Sequence, residues 1–410
     1  MKVLYLAQIF ETGSDPGSDR QLFVCRYLVG RGHSVTAVTS NVDYKRAAVK
    51  FPGAGWRIQK RVDGIEVSYV YSFPHFRGSF IKRVLYFLTY MGATMVEASM
   101  IKGVDLVYAV STPLTVGCLG YVLSRIRRCP FVFEVTDVWP DAAVAVGVVK
   151  NRTLVKAAGI LERFCYRKAT RIVALTEGIR ENIVVKGVPR EKVHLATNGV
   201  DGNLFREGPS AERDAQRLRV ELGLQQRFVC MYLGAHGRYN ALETIIEAAQ
   251  VLRDKGHIAF VLVGDGDEKG KLETAVRERA LGNVRFLPPI GRIDAPGLLR
   301  CADLLLLPNR KGEFFRMNLP NKLFDFLASS RPIVIAGEGE SAEVVRRAGA
   351  GLVVAAEDGV ALAEAILEVE GLDETTRHTM GRAGRQYVLA RYDRNAVCRD
   401  LAVMLEGAVA

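Results

Sequence analysis

The order of strands and helices constrains the fold of this chain most, because an alternation of the two over residues 1–200 restarts and runs again towards the end. Uninterrupted apolar strands alternating with helices are typical of parallel sheets covered on both faces. In the first half, β-rich runs lie at residues 3–6, 35–39, 65–71, 105–110, 130–135, 171–175 and 193–196. In the second half they lie at residues 228–233, 259–263, 283–287, 304–307, 333–335 and 351–354.

Two domains account for the 410 residues, since domains usually contain ~100–200 residues. We predict the α/β class, with two Rossmann-like doubly wound domains at residues 1–200 and 201–389. A C-terminal helix at about residues 390–410 is expected to pack back on the first domain. Ligands of open α/β sheets bind beyond the carboxyl ends of the strands, so an active site is predicted in a cleft between facing domains.

The excess positive charge of the chain is confined to its first half. Residues 1–200 contain 28 Lys and Arg against 15 Asp and Glu, an excess of +13, whereas the remaining residues contain 28 against 30, a balance of −2. This asymmetry favours an anionic partner surface, namely phospholipid, a lipid diphosphate or nucleic acid. Solubility alone is the alternative.

One segment of the first half combines apolar, basic and aromatic residues. Residues 84–96 are uncharged, and residues 73–83 before them mix basic and aromatic side chains. A helix lying on a membrane needs this combination, and an ordinary buried helix with a basic edge is the alternative. No segment reaches the ~18–20 apolar residues of a membrane-spanning helix.

Two further features favour the cytoplasm. The first residues enter a strand pattern without the features of a signal peptide, and none of the seven cysteines forms a Cys-x-x-Cys pair. A reducing compartment suits such cysteines better than a disulfide framework does.

Three loops that follow predicted strands carry candidate anion contacts. The loop at residues 10–19 contains Gly17, which would let backbone approach a ligand; on this loop alone a tight turn is the better explanation. The loop at residues 233–240 brings four such residues to a predicted helix start: Gly234, His236, Gly237 and Arg238. Free amides, a helix dipole and an arginine suit a diphosphate there, and a solvated surface arginine is the alternative.

The third loop, within residues 306–325, leads into a helix predicted to start near Asn321. Lys322 in its first turn opposes the usual preference for acids at helix starts, which an adjacent bound anion would explain. Asp325 lies one turn later and can point the same way, so a Lys–Asp surface pair is the alternative.

A run of acids ends a strand of the first half. Glu134, Asp137 and Asp141 lie at the carboxyl end of a strand, where such folds place their catalytic and binding residues. Trp139 followed by Pro140 offers a rigid aromatic surface on which a sugar ring can pack. Strand alternation suggests that Glu134 is a buried, structural acid. A functional role is favoured for Asp137.

Together these features resemble the GT-B-fold glycosyltransferases of family 4 over nearly the whole chain. The matching motifs are, in order, Gly32-His-Ser-Val-Thr-Ala-Val-Thr39, Ala174-Leu-Thr-Glu177, Asn198-Gly-Val-Asp201 with Phe205, Gly264-Asp-Gly266, Asn283-Val-Arg-Phe-Leu287, Cys301-Ala-Asp303, and Asp325 seven residues before Pro332-Ile-Val-Ile335. Glu134-Val-Thr-Asp-Val-Trp-Pro-Asp141 and Pro320-Asn-Lys-Leu-Phe-Asp325 are similar to the branch found in bacterial surface-polysaccharide assembly (O-antigen, capsule or exopolysaccharide).

The sequence departs from the family pattern at two places. Met317 stands at the first acid of the Glu-x7-Glu pair, whose second acid matches Asp325. When Gly234 is aligned with the first donor loop of the family, Ala235 falls on its Arg and Asn240 on its Lys. Arg238 and Lys322 are the obvious substitutes.

The resemblance implies a retaining, metal-independent transfer from a nucleotide sugar without a cofactor. Uridine is expected as the nucleoside of the donor because it is usual in the family. The predicted catalytic residues are Asp137, Arg238 and Lys322. The predicted donor contacts are Gly17, Gly234, His236, Gly237, Arg238, Asp265, Arg285, Phe286, Met317, Asn318, Leu319, Pro320, Asn321, Lys322 and Asp325. The predicted acceptor contacts are Asp137, Trp139 and Asp141, and no metal ligands are predicted.

The roles follow from the chemistry of the leaving group. Cations and helix amides would stabilise the departing diphosphate, and Asp325 would hold the ribose or the donor sugar. Asp137 would orient the acceptor hydroxyl or its proton, which the leaving phosphate can also take.

The expected partners are the nucleotide sugar, a saccharide or polyprenyl-diphosphate-saccharide acceptor, and an anionic membrane at the cytoplasmic face. Two rival functions differ from transfer. A nucleotide-sugar epimerase of the same fold would need no acceptor. A basic nucleic-acid-binding protein would carry a binding module or stacking aromatics, which the sequence lacks.

Overall fold

The computed structural model describes residues 1–12, 19–44, 47–53, 55–76, 80–111, 113–145, 147, 149 and 151–410. The strands are β1 (Lys2–Leu6), β2 (Ser34–Ser40), β3 (Val42–Asp43), β4 (Ala48–Val49), β5 (Arg57–Val62), β6 (Ile65–Val70), β7 (Leu106–Val110), β8 (Phe131–Val135), β9 (Arg171–Ala174), β10 (Val193–Leu195), β11 (Phe228–Leu233), β12 (Ile258–Val263), β13 (Val284–Leu287), β14 (Leu304–Pro308), β15 (Ile333–Ala336) and β16 (Gly351–Val354).

The helices are α1 (Arg20–Gly30), α2 (Phe80–Met100), α3 (Thr115–Arg127), α4 (Asp141–Ala145), α5 (Arg152–Lys168), α6 (Glu177–Val185), α7 (Pro209–Glu221), α8 (Glu243–Val251), α9 (Lys269–Glu278), α10 (Ala295–Arg300), α11 (Glu313–Arg316), α12 (Asn321–Ala328), α13 (Glu340–Ala348), α14 (Gly359–Glu370), α15 (Glu374–Arg391) and α16 (Arg394–Val409). Short 3-10 turns lie at Arg190–Lys192 and Arg238–Asn240.

The chain forms two compact units. Unit 1 contains the described residues as far as Thr197 together with Val397–Ala410, and unit 2 contains Asn198–Ala396. The sequence placed the change of domain near residue 200 and the returning helix at about residues 390–410. In the structure, Cys398, Leu401 and Leu405 of α16 belong to the core of unit 1.

Unit 1 is built on an eight-stranded sheet in the order β10-β9-β8-β7-β1-β2-β6-β5. All pairs are parallel except β5 with β6. Helices α2, α3, α5 and α6 bury apolar side chains on one face, and α1 and α16 on the other. The central strands β1, β7 and β8 are buried and largely apolar because both of their faces are covered, whereas the edge strand β5 is polar and mostly exposed.

Unit 2 is built on a six-stranded parallel sheet in the order β13-β12-β11-β14-β15-β16. Helices α8 and α14 cover one face, while α12 and α13 cover the other. The strand order reverses between β11 and β14, so the loops that follow these two strands diverge at the carboxyl edge and leave a crevice, where such folds bind ligands.

The predicted doubly wound α/β architecture is therefore confirmed for both units. Within the described residues, no helix combines the length and the apolar character that crossing a bilayer requires.

Candidate functional site

The switch point of unit 2 brings three chain segments together at two glycines. Gly234 follows β11 with φ +151°, and a Cβ on it would lie 2.9 Å from both Cε and Nζ of Lys322. Gly264 follows β12 with φ +143°, and a Cβ on it would lie 1.9 Å from the carbonyl oxygen of Gly234. Only glycine fits these approaches, so the loops after β11 and β12 and the start of α12 form one surface.

Lys322 is the charged centre of this surface. Its Nζ donates to the hydroxyl of Tyr232 and to Oδ1 of Asn240 at 2.8 Å, and it lies 4.4 Å from the centroid of the Tyr232 ring. Among the described residues, no carboxylate lies within ion-pair distance of this ammonium. Its withdrawal from water lowers the pKa of Lys322 to about 7. A bound anion would stabilise the charged form of Lys322 and so offset the effect of desolvation.

The start of α12 leaves hydrogen-bond donors beside Lys322. Pro320 precedes the helix without a side-chain cap, and its first turn contains no acid. The amides of Met317 and Asn318 close the turn of α11 by donating to carbonyls three residues earlier. The amides of Leu319 and Asn321 have no acceptor in the described part of the chain. A helix start with free amides and a lysine is suited to a phosphate group.

Arg238 lies apart from the start of the α-helix that follows its loop. The α-helix after this loop begins only at Glu243, because Ala241 adopts a left-handed conformation (φ +43°) that separates it from the 3-10 turn at Arg238–Asn240. Arg238 therefore lies in this 3-10 turn rather than in the first turn of α8. Its guanidinium is 66 % exposed and donates through Nε to Glu268 Oε1 at 3.2 Å.

His236 fixes the loop rather than offering a charge. Its backbone N–H donates to the carbonyl of Asp265 at 2.8 Å, and its carbonyl accepts from the amide of Glu268 at 2.9 Å. The ring is fully buried between Tyr232 and Phe286, with centroids 6.0 Å from each. Burial lowers the pKa of His236 to about 4, so the ring is neutral, and neither nitrogen has a partner among the described residues.

The other predicted donor contacts are placed less centrally. Arg285 lies on the opposite face of β13 from Phe286, and it donates to the carbonyl of Leu222 at 2.6 Å. Asp325 pairs with Arg292 at 3.5 Å, so the alternative of a Lys322–Asp325 pair is wrong. Gly17 lies outside the described residues.

The carboxyl edge of unit 1 carries the predicted acceptor acid. Asp137 follows β8, is half-buried, and has no hydrogen-bond or ion-pair partner in the described part of the chain. Loss of water around its carboxylate raises the pKa of Asp137. Such a carboxylate is suited to receive or orient a proton.

Glu134, by contrast, is a buried structural acid, which confirms the interpretation from strand alternation. It accepts from Nε and Nη2 of Arg20 at 3.1 and 3.0 Å and from the hydroxyl of Tyr108. Arg20 also donates to the carbonyls of Ala196 and Thr197 at 2.9 and 2.7 Å. This network ties α1 to the strand ends. Both carboxylate oxygens of Glu134 are engaged in it, so Glu134 is not a candidate for binding the acceptor sugar.

The remaining predicted acceptor contacts are engaged within unit 1. Asp141, the first residue of α4, pairs with Lys186 at 3.0 Å, and Lys186 also binds Glu162 at 2.7 Å. Trp139 is half-buried and packs on the core. Of the two acids, Asp137 alone has no ion-pair partner within the described residues.

Sequence reasoning missed Tyr232 and Asn240, which hold the lysine. The signal was present at Asn240, the position at which the family carries a lysine. The structure brings Lys322 Nζ to 2.8 Å from Asn240 Oδ1, so a cation from α12 occupies the neighbourhood of the missing one.

No group of three or more His, Cys, Asp or Glu side chains within the described residues is arranged to hold a metal ion.

Two family models match the chain, one in each half. The family model described as "Glycosyl transferase 4-like domain" matches residues 21–199, and that described as "Glycosyl transferases group 1" matches residues 227–370. The chain is 25% identical over 317 residues to the putative colanic acid biosynthesis glycosyl transferase WcaI of Escherichia coli K12, covering 76% of this chain and 77% of that protein. It is 28% identical over 311 residues to D-inositol 3-phosphate glycosyltransferase 1 of Catenulispora acidiphila, covering 70% and 69%.

Solved structures share the fold over the full chain. Anabaena Alr3699/HepE in complex with UDP and glucose superposes with a TM-score of 0.75 at 19% identity, covering 99% of this chain and 100% of that chain. WaaG, a glycosyltransferase involved in lipopolysaccharide biosynthesis, superposes with a TM-score of 0.69 at 16% identity, covering 99% and 100%.

Proposed function

We propose that this chain, which belongs to the GT-B glycosyltransferases of group 1 with a GT4-like N-terminal half, transfers a hexosyl-type sugar from a UDP-sugar with retention of configuration. The single observation that carries the donor assignment is Lys322, an ammonium without a carboxylate partner in the described residues, beside the free amides that start α12. A nucleoside diphosphate offers the compact double negative charge that this surface lacks. The complexes of HepE with UDP and with UDP-glucose support uridine as the nucleoside of the donor.

The residues of unit 2 would act on the leaving group. Lys322 and the amides of Leu319 and Asn321 would stabilise the charge that builds on the diphosphate as the glycosidic bond breaks. Gly234 has no side chain that would stand between its loop and Lys322, which leaves room for the diphosphate. Asp325 would contact the ribose or the donor sugar. Arg238 would turn from Glu268 to the diphosphate. We propose that this protein charge suffices without a metal ion or another cofactor.

Asp137 would serve the acceptor. Its carboxylate, unpaired within the described residues, and its raised pKa suit a group that orients a hydroxyl and shares its proton. In a front-face retaining reaction the leaving phosphate can take the proton itself, so the role of Asp137 is positioning as much as base catalysis.

We propose a lipid-linked saccharide as the acceptor, in the assembly of a cell-surface polysaccharide at the inner face of the cell membrane. The names of WcaI and WaaG point to this class of product, and the +13 charge of residues 1–200 suits an anionic membrane.

Calorimetry with UDP, GDP and UDP-sugars tests the donor assignment. We expect UDP to bind in the presence of a chelator, and to raise the melting temperature because it binds the folded state. Binding that disappears with the chelator would reject the metal-free mechanism, and absence of any nucleotide binding would reject the function.

The epimerase alternative has its own readout. Incubating a nucleotide sugar without acceptor should leave the sugar unchanged, and product should form only when a lipid-linked saccharide is added. Interconversion of sugars without acceptor would favour the epimerase.

A further inference from the structure

We infer that the outer face of helices α2, α3 and α5, here called the three-helix face, docks on an anionic lipid bilayer. This inference deepens the proposed membrane-linked function by assigning it a surface, and it rests on that function.

Helix α2 is apolar on both of its sides. Its buried side includes Tyr86, Tyr90 and Ala98. Its outer side exposes an apolar stripe at helical spacing: Ile81, Leu85, Leu88, Val96 and Met100. Ile81 is 71% exposed and Leu88 is 56% exposed. A surface helix of a soluble domain normally turns polar residues outward, so this stripe marks an interaction surface.

The neighbouring helices extend the stripe. Arg127 of α3 donates to the carbonyls of Ala98 and Ser99 at 2.8 and 2.6 Å, which holds α3 beside α2. Lys168 of α5 lies 5.6 Å from the ring centroid of Tyr121, which holds α5 beside α3. These two helices expose further aliphatic side chains, namely Val122, Ile126, Leu154 and Ile160.

The charges of the three-helix face have one sign. Its acids, Glu97 and Glu162, are both buried and bound internally, Glu97 by Arg57 and Ser68 and Glu162 by Lys186 and Tyr166. Its exposed cations form no ion pair within the described residues: Lys82, Arg125, Arg152, Lys156, Arg163, Arg167 and Lys168.

The exposed charges of α13 in unit 2 are arranged in the opposite way. Glu343 of α13 pairs with Arg347 at 2.6 Å and with Arg346 at 3.9 Å. Balanced charges of this kind suit water. Aliphatic side chains among unpaired cations suit the interface of an anionic bilayer, where the chains enter the acyl boundary and the cations contact phosphates.

The three-helix face is connected to the acceptor edge. Helix α2 follows β6 and therefore begins at the carboxyl edge of the sheet of unit 1, the edge at which Asp137 follows β8. A lipid-linked saccharide held in the bilayer would thus extend along unit 1 towards Asp137.

Vesicle flotation of the full chain tests the surface. We expect binding to phosphatidylcholine vesicles containing phosphatidylglycerol, weaker binding at high salt, and little binding to phosphatidylcholine alone. Leu85→Ser with Leu88→Ser should weaken binding by roughly tenfold or more, since two exposed aliphatic side chains lose their burial in the interface. Ile293→Ser with Val360→Ser, a pair at least as exposed in unit 2, should bind like the unmodified protein.

Two measurements keep this test separate from the donor assignment. UDP affinity and melting temperature should be unchanged in the Leu85→Ser, Leu88→Ser protein. If the unmodified protein binds UDP but neither kind of vesicle, the three-helix face is not a membrane surface while the proposed donor chemistry stands. Loss of a dimer, rather than of vesicle binding, in this variant would assign the stripe to self-association and overturn the proposal.

A single substitution gives a readout that does not depend on weakened binding. The fluorescence of Leu88→Trp should shift to the blue on anionic vesicles and be quenched by brominated lipids, whereas Ile293→Trp should show neither change. Quenching of both, or of neither, would overturn the assignment.

Discussion

Among the described residues, the carboxyl edges of the two sheets differ in the sign of the desolvated charge that each leaves without an ion-pair partner. In unit 1 the group is the carboxylate of Asp137, and in unit 2 it is the ammonium of Lys322. Burial raises the pKa of the first and lowers that of the second, because it disfavours the charged form in both. The same doubly wound architecture thus presents a proton acceptor at one edge and an anion site at the other.

The neighbours of each group sharpen this contrast. Glu134, three residues before Asp137, forms an ion pair with Arg20. Arg238, in the loop after β11, forms an ion pair with Glu268. Residue type and nearness to a strand end therefore do not identify a site. What distinguishes the candidate is a charged group that has no ion-pair partner among the described residues.

Removing the ammonium should have the largest effect. Lys322→Met keeps much of the side-chain volume but removes the charge at the start of α12, and we expect turnover to fall about 10³-fold, at the upper end of losses for one stabilising donor. UDP affinity should fall as well. Steady-state kinetics and calorimetry measure the two effects.

Lys255→Met, at an exposed lysine elsewhere in unit 2, is the matched control and should retain both activities. Normal turnover in Lys322→Met would end the assignment of the anion site to this edge.

Changing the carboxylate should have the next largest effect and a different signature. Asp137→Asn keeps the shape but cannot take a proton, so turnover should fall roughly 10²-fold while UDP affinity stays the same. Asp141→Asn, which breaks the pair with Lys186, should lower the melting temperature more than the turnover. If Asp137→Asn transfers sugar normally, Asp137 is structural and the acceptor group lies elsewhere.

The sequence predicted the positions of these groups but not their partners. The helix starting at Asn321 and the buried acid at Glu134 follow from local pattern, since a helical run after a polar loop and the alternation along a strand are read from neighbouring residues. Lys322 meets Tyr232 and Asn240 only because β11 and β14 are adjacent in the sheet, and the sequence does not give this adjacency. The turn at Ala241 was missed because a left-handed alanine leaves no signature in its sequence.

The pH dependence of UDP binding should show the lowered pKa of Lys322. In the free protein this pKa is about 7, below its ordinary value of 10.5, and a bound diphosphate should raise it again. Binding should therefore take up close to one proton at pH 8 and very little at pH 6. Above pH 7 the affinity should fall by up to about tenfold per pH unit.

Calorimetry at pH 8 in buffers of different ionisation enthalpy measures this proton uptake. Lys322→Met should abolish it in whatever nucleotide binding remains. The same proton uptake in that variant would assign the titration to another group.

Arg238→Ala should have a smaller effect than the loss of Lys322. Arg238 is exposed and must leave Glu268 before it contacts a diphosphate, so part of its gain is offset. We expect UDP affinity and turnover to fall together by roughly tenfold, the lower range for a charge-assisted hydrogen bond. An unchanged UDP affinity would make Arg238 a surface cation.

Glu268→Gln should give the smallest effect, in the opposite direction. Glu268 holds Arg238 at 3.2 Å and Lys271 at 3.0 Å in the free protein, and removing its charge frees the guanidinium for the diphosphate. The amide of Glu268, which anchors the His236 loop, is kept by this substitution. We expect UDP affinity to rise about threefold, because the guanidinium of this pair is solvent-exposed and ion pairs to exposed cations contribute only ~0.2–1 kcal/mol. The rise should disappear when Arg238→Ala is added, since the carboxylate then has no guanidinium to withhold. A rise that persists in the double variant would show that Glu268 repels the diphosphate directly, and Arg238 would then lose its place among the residues that bind the donor.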